Sequence, residues 1–146
     1  MPQSEKPPRN FRAPLKYPGY PYHGLLRQAL DHLSNKIAIV DGERELTFGE
    51  LESRSNACAR GLTHLGIQKG DRVALLVPNS IEFEVAFFAG SKTGAILTSL
   101  NPAYKEEEVR YQLEDSGAKI VIVHESLLPT ILSVRDKLPN LKNIIV

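Results

Sequence analysis

The sequence predicts an open, mostly parallel, doubly wound α/β sheet with a small β-hairpin and an extended amino-terminal arm. Three observations carry that expectation. Short apolar runs alternate with stretches of helical periodicity from Leu25 to Val146. Several of the runs are apolar almost throughout rather than at every second residue, as in strands covered on both faces. Gly66, Gly94 and Gly117 each follow a helical stretch, where a left-handed residue ends a helix. The resulting order, βαβαβαβ, is that of a sheet with helices on both sides.

Leu25, Leu26, Ala29, Leu30 and Leu33 recur at helical spacing and open the series. Ile37–Val40 and Arg44–Thr47 flank Asp41-Gly42, a pair that accepts positive φ, so a hairpin follows. Thr47 and Glu50 have capping-box spacing: hydroxyl and carboxylate satisfy each other's backbone amides at a helix start. The stripe of Leu51, Ser55, Cys58, Leu62 and Leu65 makes that helix amphipathic, and Cys58 reads as a small core residue rather than a reactive thiol. Arg72–Val77 is the first strand expected to be buried on both faces. Asn79 and Ser80 are N-cap types for a helix over Ile81–Thr93, before a strand at Ala95–Leu100. Asn101-Pro102 breaks that strand, and an acidic-start helix over Lys105–Ser116 leads to a β-rich run at Lys119–Val123. A helix over Ser126–Leu138 and a strand over Lys142–Val146 complete the order.

Composition narrows the function. The 146 residues are 42% hydrophobic and 24% charged, which excludes disorder and collagen and fits one core, or a piece of one. Eighteen basic against seventeen acidic residues leave a net charge of +1, so no general basic field exists for nucleic acid. One cysteine makes no intrachain disulfide, no Asn-x-Ser/Thr acceptor occurs, and a cytoplasmic setting is expected. No apolar run approaches the roughly 20 residues of a membrane span, and no signal peptide is visible. Residues 1–22 form a separate Pro-rich extended arm holding six of the ten prolines, with Lys6, Arg9, Arg12 and Lys16 against Glu5. Residues 23–146 form the folded unit. The arm reads as a strap on its own domain, with a weak peripheral contact to an anionic membrane as the alternative. Asn143-Ile144-Ile145-Val146 stops inside an apolar strand, so the expectation is a domain truncated at its carboxyl end.

Open parallel sheets bind ligands beyond the carboxyl ends of their strands, at Pro78-Asn79-Ser80, Asn101-Pro102 and His124-Glu125-Ser126 here. None reads as an active site. Asn79 and Ser80 read as caps, a phosphate at the Ser80 helix start being the other reading. His124, Glu125 and Ser126 are too close in sequence for a hydrolytic triad. Gly90-Ser91-Lys92-Thr93-Gly94 closes a helix instead of opening one, so it is a C-cap with Lys92 suited to the negative end of the dipole, not a phosphate loop. Glu106, Glu107 and Glu108 point in different directions around one helical turn, and His23, His32 and His64 are scattered, so no metal set is expected.

Leu46-Thr47-Phe48-Gly49-Glu50-Leu51, Gly66-Ile67-Gln68-Lys69-Gly70-Asp71-Arg72-Val73-Ala74, Pro78-Asn79-Ser80-Ile81-Glu82-Phe83, Gly94-Ala95, Asn101-Pro102-Ala103-Tyr104 and the run from Tyr111 to Lys119 occur in that order. Together they closely resemble the amino-terminal region of the adenylate-forming (AMP-binding) superfamily, from about Tyr22 to Val146. Within it, Asn101-Pro102-Ala103-Tyr104 and Tyr111-Gln112-Leu113 are most similar to medium- or long-chain fatty acyl-CoA synthetases and coumarate-type CoA ligases. Ser34-Asn35 departs from a proline-containing segment common before the first strand.

The resemblance implies an incomplete amino-terminal subdomain of the adenylate-forming fold. It also implies a parent enzyme joining a carboxylic acid, ATP and CoA into acyl-CoA, AMP and diphosphate through an acyl-adenylate, with Mg²⁺. In the family the phosphate loop, the adenine and ribose motifs, the hinge and the catalytic lysine lie beyond the matched stretch. No catalytic, cofactor-binding or metal residue is therefore carried onto a position of this sequence. The fragment alone is expected to be inactive, its alternative being a self-contained, non-catalytic α/β binding or interaction module. Neither nucleic acid nor an integral membrane segment is expected.

Overall fold

The computed structural model describes residues 19–146, and the readings of residues 1–18 lie outside them. Its centre is β3 (Arg72–Leu76), the first of the doubly apolar runs, in which Val73, Ala74, Leu75 and Leu76 are all buried. β4 (Ile96–Ser99) pairs with it on one side and β5 (Ile120–Val123) on the other, and β6 (Asn143–Ile145) lies beyond β5. All three pairings are parallel, with Val73 opposite Leu97 and Ile120.

Alternation along β3 sends its side chains to two cores. Val73 and Leu75, with Ile120 of β5, pack under α2 (Phe48–His64) and α3 (Ile81–Thr93) through Leu62, Ala86 and Ala89. Ala74 and Leu76, with Val121 and Val123, pack under α4 (Glu106–Ser116) and α5 (Leu128–Val134) through Val109, Leu113, Ile131 and Val134. The sheet is doubly wound as expected. A third, smaller core joins α1 (His23–Leu33) and the antiparallel pair β1 (Ile37–Asp41) and β2 (Arg44–Thr47) to α2 and α3, through Leu26, Leu46, Leu51 and Ile81. His23 fastens α1 to the end of α3: its amide donates to Ser91 Oγ at 3.2 Å, and its Nδ1 lies 3.1 Å from Ser91 O.

Local signals act as read. Thr47 Oγ1 accepts from Glu50 N at 3.2 Å and Thr47 N donates to Glu50 Oε2 at 2.9 Å, completing the capping box. The Glu50 carboxyl is accordingly held below its ordinary range, first by the Thr47 amide and then by its hydroxyl. Gly94 and Gly117 end α3 and α4 at φ +73° and +60°. The expected single helix over Ser126–Leu138 is instead α5 between two single 3-10 turns, Glu125–Leu127 and Arg135–Lys137. Pro129 lies in the first turn of α5, where it has no N–H to extend the helical ladder backwards. Among the described residues no helix is long and apolar enough to cross a membrane.

Two helical glycines distinguish packing from propensity. Exposed Gly61 in α2 has nothing within 4 Å of where a Cβ would stand, whereas a Cβ on buried Gly90 of α3 would lie 2.3 Å from Leu97 Cδ2 of β4. Gly61→Ala is expected to raise stability by about 0.5–1 kcal/mol. Gly90→Val is expected to lower it by about 1–3 kcal/mol, because the helix must lift from the sheet. Midpoints of urea unfolding check both.

Candidate functional site

β3 is followed by a crossover to β4 on one side, and the next crossover passes back to β5 on the other, so the chain changes direction between β3 and β5. A crevice opens outside the carboxyl ends of strands at such a point. Here it encloses about 450 Å³ between Val77, Val123, His124 and Glu125 at the strand ends and Arg44 and Glu82 at its charged rim.

The rim joins the hairpin to the start of α3. Arg44 Nη1 donates to Glu82 Oε1 at 2.7 Å and Nη2 to Glu82 Oε2 at 3.1 Å, while Nη2 also donates to Asp41. Asp41 Oδ2 in turn accepts from the Ile81 amide at 3.3 Å. Ser80 Oγ accepts from the Phe83 amide at 3.2 Å, and Ser80 O accepts from the Glu84 amide at 3.3 Å. The Arg44 guanidinium holds the Glu82 carboxyl at about 2, from an ordinary 4.5; desolvation opposes this, and Glu82's own amide and the Ser80 hydroxyl assist it. The positive end of α3 is therefore filled by the protein's own carboxylates and hydroxyl. A phosphate at the Ser80 helix start, one of the sequence readings, meets bonded amides and two carboxylates. That reading fails on geometry.

The other strand-end loops are closed in the same way. Asn101 Oδ1 accepts from the Ala103 amide at 2.9 Å, making a turn of its own side chain. His124 Nδ1 accepts from the Ser126 amide at 3.2 Å and lies 2.8 Å from Ser126 Oγ, so His124 caps the 3-10 turn that follows.

Lys92 corrects a local reading. Instead of serving the negative end of its helix, its Nζ reaches across to α2 and donates to Glu52 Oε2 at 2.6 Å, Ser55 Oγ at 2.8 Å and Asn56 Oδ1 at 2.8 Å. Its side chain is only 11% exposed. Desolvation pushes the Glu52 carboxyl up, but bonds from Lys92 and Asn56 outweigh it and hold the group below its ordinary value. Cys58 of α2 packs half-buried on the α2–α3 core, where desolvation pushes its thiol up, away from nucleophilic character. Among the described residues no three His, Cys, Asp or Glu side chains come together to hold a metal ion.

Sequence reasoning missed the Arg44–Glu82 and Lys92–Glu52 clamps, whose members stand 38 and 40 residues apart. No local spacing announces such pairs. The one available signal is residue type: a basic side chain in the turn of a hairpin, and a lysine in an otherwise apolar helix.

A doubly wound sheet with its switch point between two central strands defines a large class of nucleotide- and coenzyme-using enzymes. Residues 26–146 match the family described as AMP-binding enzyme, and the chain belongs to that family. It is 36% identical to 4-coumarate–CoA ligase 3 of Arabidopsis thaliana across 97% of its own length and 25% of that protein's. It is 43% identical to the long-chain-fatty-acid–CoA ligase FadD13 of Mycobacterium tuberculosis across 62% of its own length and 18% of that protein's. Among solved structures, the anthranilate CoA ligase AuaEII in complex with anthranoyl-AMP superposes with a TM-score of 0.84 at 35% identity, over 87% of this chain and 25% of that one. The chain thus spans a quarter or less of the length of these relatives.

Two expectations follow from the clamps. Glu82 titrates lower folded than unfolded, so the stability it lends is fully present above 4.5 and is lost as pH falls from there toward about 2. Arg44→Ala is expected to flatten the fall in urea midpoint across that window. Lys92→Met leaves the Glu52 carboxylate partly desolvated without its cation, an expected loss of about 1–3 kcal/mol. Adding Glu52→Gln is expected to return part of it, read as a coupling energy in a double-mutant cycle.

Proposed function

We propose that this chain is the opening part of an ATP-dependent CoA ligase for a fatty or aryl carboxylic acid, and that it serves as scaffold. The proposed reaction of the whole enzyme joins the acid, ATP and CoA into acyl-CoA, AMP and diphosphate through an acyl-adenylate. Residues 1–22 are then an arm and residues 23–146 the first part of the AMP-binding domain, working in the cytoplasm.

The observation that carries this reading is the span of the likeness: it runs along 97% of the chain yet covers only 25% of a coumarate ligase. The site chemistry supports it. Stabilising a charged phosphoryl transition state requires donors aimed at the reacting oxygens. In the crevice the amides at the α3 start and the Arg44 guanidinium are engaged by Asp41, Ser80 and Glu82. The Lys92 ammonium is enclosed between α2 and α3. These residues do not fit ATP or its Mg²⁺, so no step of the reaction is assigned to them. Their role in the proposal is to hold β3, β5 and α3 in register beneath residues supplied by other parts of the enzyme.

Two measurements test this. The isolated 146-residue chain is expected to give no carboxylate-dependent exchange of labelled pyrophosphate into ATP; exchange by it would overturn the scaffold assignment. A chimera in which residues 26–146 replace the matching stretch of FadD13 is expected to retain acyl-CoA formation, and a folded but inactive chimera would count against the ligase reading.

A further inference from the structure

An apolar groove of about 540 Å³ runs between α1, the hairpin and α3, walled by Leu25, Ala38, Val40, Phe48 and Phe88, with Glu84 at one side. Its rim is strongly apolar for a water-facing surface: Val40 is 66% and Leu25 47% exposed. The segment entering α1 already lies against this region. Tyr22 sits with its ring centroid 5.3 Å from both Phe87 and Phe88, the latter a groove wall. Tyr20 donates its hydroxyl to Gln28 Oε1 at 3.0 Å, and its ring covers Gly24, where a Cβ would stand 2.6 Å from Tyr20 Cδ2.

The sequence just upstream repeats the chemistry of that contact. Pro14, Pro18 and Pro21 favour polyproline backbone, which has three residues per turn. On such a helix Phe11, Pro14, Tyr17 and Tyr20 share one face, so the residue seated on α1 is the last of an apolar stripe. From Phe11 to Tyr17 this backbone spans about 19 Å at 3.1 Å per residue. The eleven residues of α1 are about 16 Å long at 1.5 Å each, so stripe and groove wall match in length. Arg12 and Lys16 flank the stripe, and the groove's ionisable wall residue is the acidic Glu84.

We propose that the groove is the docking site of the chain's own arm, with residues 11–17 lying along it and the stripe of Phe11, Pro14 and Tyr17 turned inward. The arm covers Leu25 and Val40, which would otherwise form an adhesive patch. A segment joined at Tyr20 meets the groove at an effective concentration of order millimolar, an advantage no separate partner has. The inference is independent of the ligase reading.

The test is paramagnetic broadening in the full chain. A nitroxide on Leu15→Cys, in a Cys58→Ala background, is expected to erase the methyl signals of Ala38, Val40 and Leu25. Those of Leu132, on α5 across the sheet, are expected to survive, and reduction of the label with ascorbate is expected to restore the lost signals. Val40→Lys, a change at an exposed site that places a cation against a basic arm, is expected to abolish the effect with the circular dichroism spectrum unchanged. Equal broadening at Leu132, or none anywhere, overturns the proposal. So does broadening only between labelled and isotope-labelled copies when they are mixed, which would mean a second copy as occupant. Phosphatidylserine vesicles are expected to leave the pattern intact; loss of the groove signature on their addition also overturns it, in favour of a membrane contact.

Discussion

Burial of β3 and β5 on both faces is the constraint from which the remaining structure follows. Two adjacent parallel strands with Val73, Ala74, Leu75, Leu76, Ile120, Val121 and Val123 all buried need a helical layer above and another below. Four helices meet that demand in pairs, α2 with α3 and α4 with α5. Since α3 and α4 lie on opposite faces, the crossovers they make leave β3 in opposite directions. The crevice between the carboxyl ends of β3 and β5 is thus a consequence of covering two strands twice. Close approach is part of the same constraint: Gly90 lets α3 settle on Leu97 of β4.

What fills the crevice rim distinguishes this stretch from a nucleotide site built on the same topology. The amino end of a helix at a switch point is an anion site by default, because its first amides and its dipole face outward. Here the hairpin supplies the anion from within, through Asp41, and Arg44 balances the charge by holding Asp41 and Glu82 together. The arrangement converts a ligand site into a structural joint between the third core and the sheet. Lys92 performs the matching task at the other end of α3, binding α2 through Glu52, Ser55 and Asn56. α3 is fastened at both ends, and the polar side chains that look chemically promising in the sequence are engaged in fastening it. In the proposed reading, adenylation chemistry then rests on residues elsewhere in a much longer protein, and the contribution of this part is a rigid floor.

The order and type of the elements, the capping box at Thr47 and Glu50, and the left-handed stops at Gly94 and Gly117 were legible in the sequence because each depends on residues within one or two turns of one another. So was the double burial of β3, since a run without polar alternation has no solvent face to offer. The family likeness was legible for a different reason: several weak motifs in a preserved order. Local rules erred where the last helix breaks at Pro129, and where Lys92 was assigned to its own helix end although stronger acceptors waited on another helix. The strand order β4-β3-β5-β6, the face each helix covers, the closing of the α3 start by Asp41 and the two long-range clamps were decided only by the tertiary structure. The physical reason is distance along the chain: hydrogen bonds and ion pairs between residues some forty positions apart leave no periodic trace, and exist only once the hydrophobic cores have set the helices side by side.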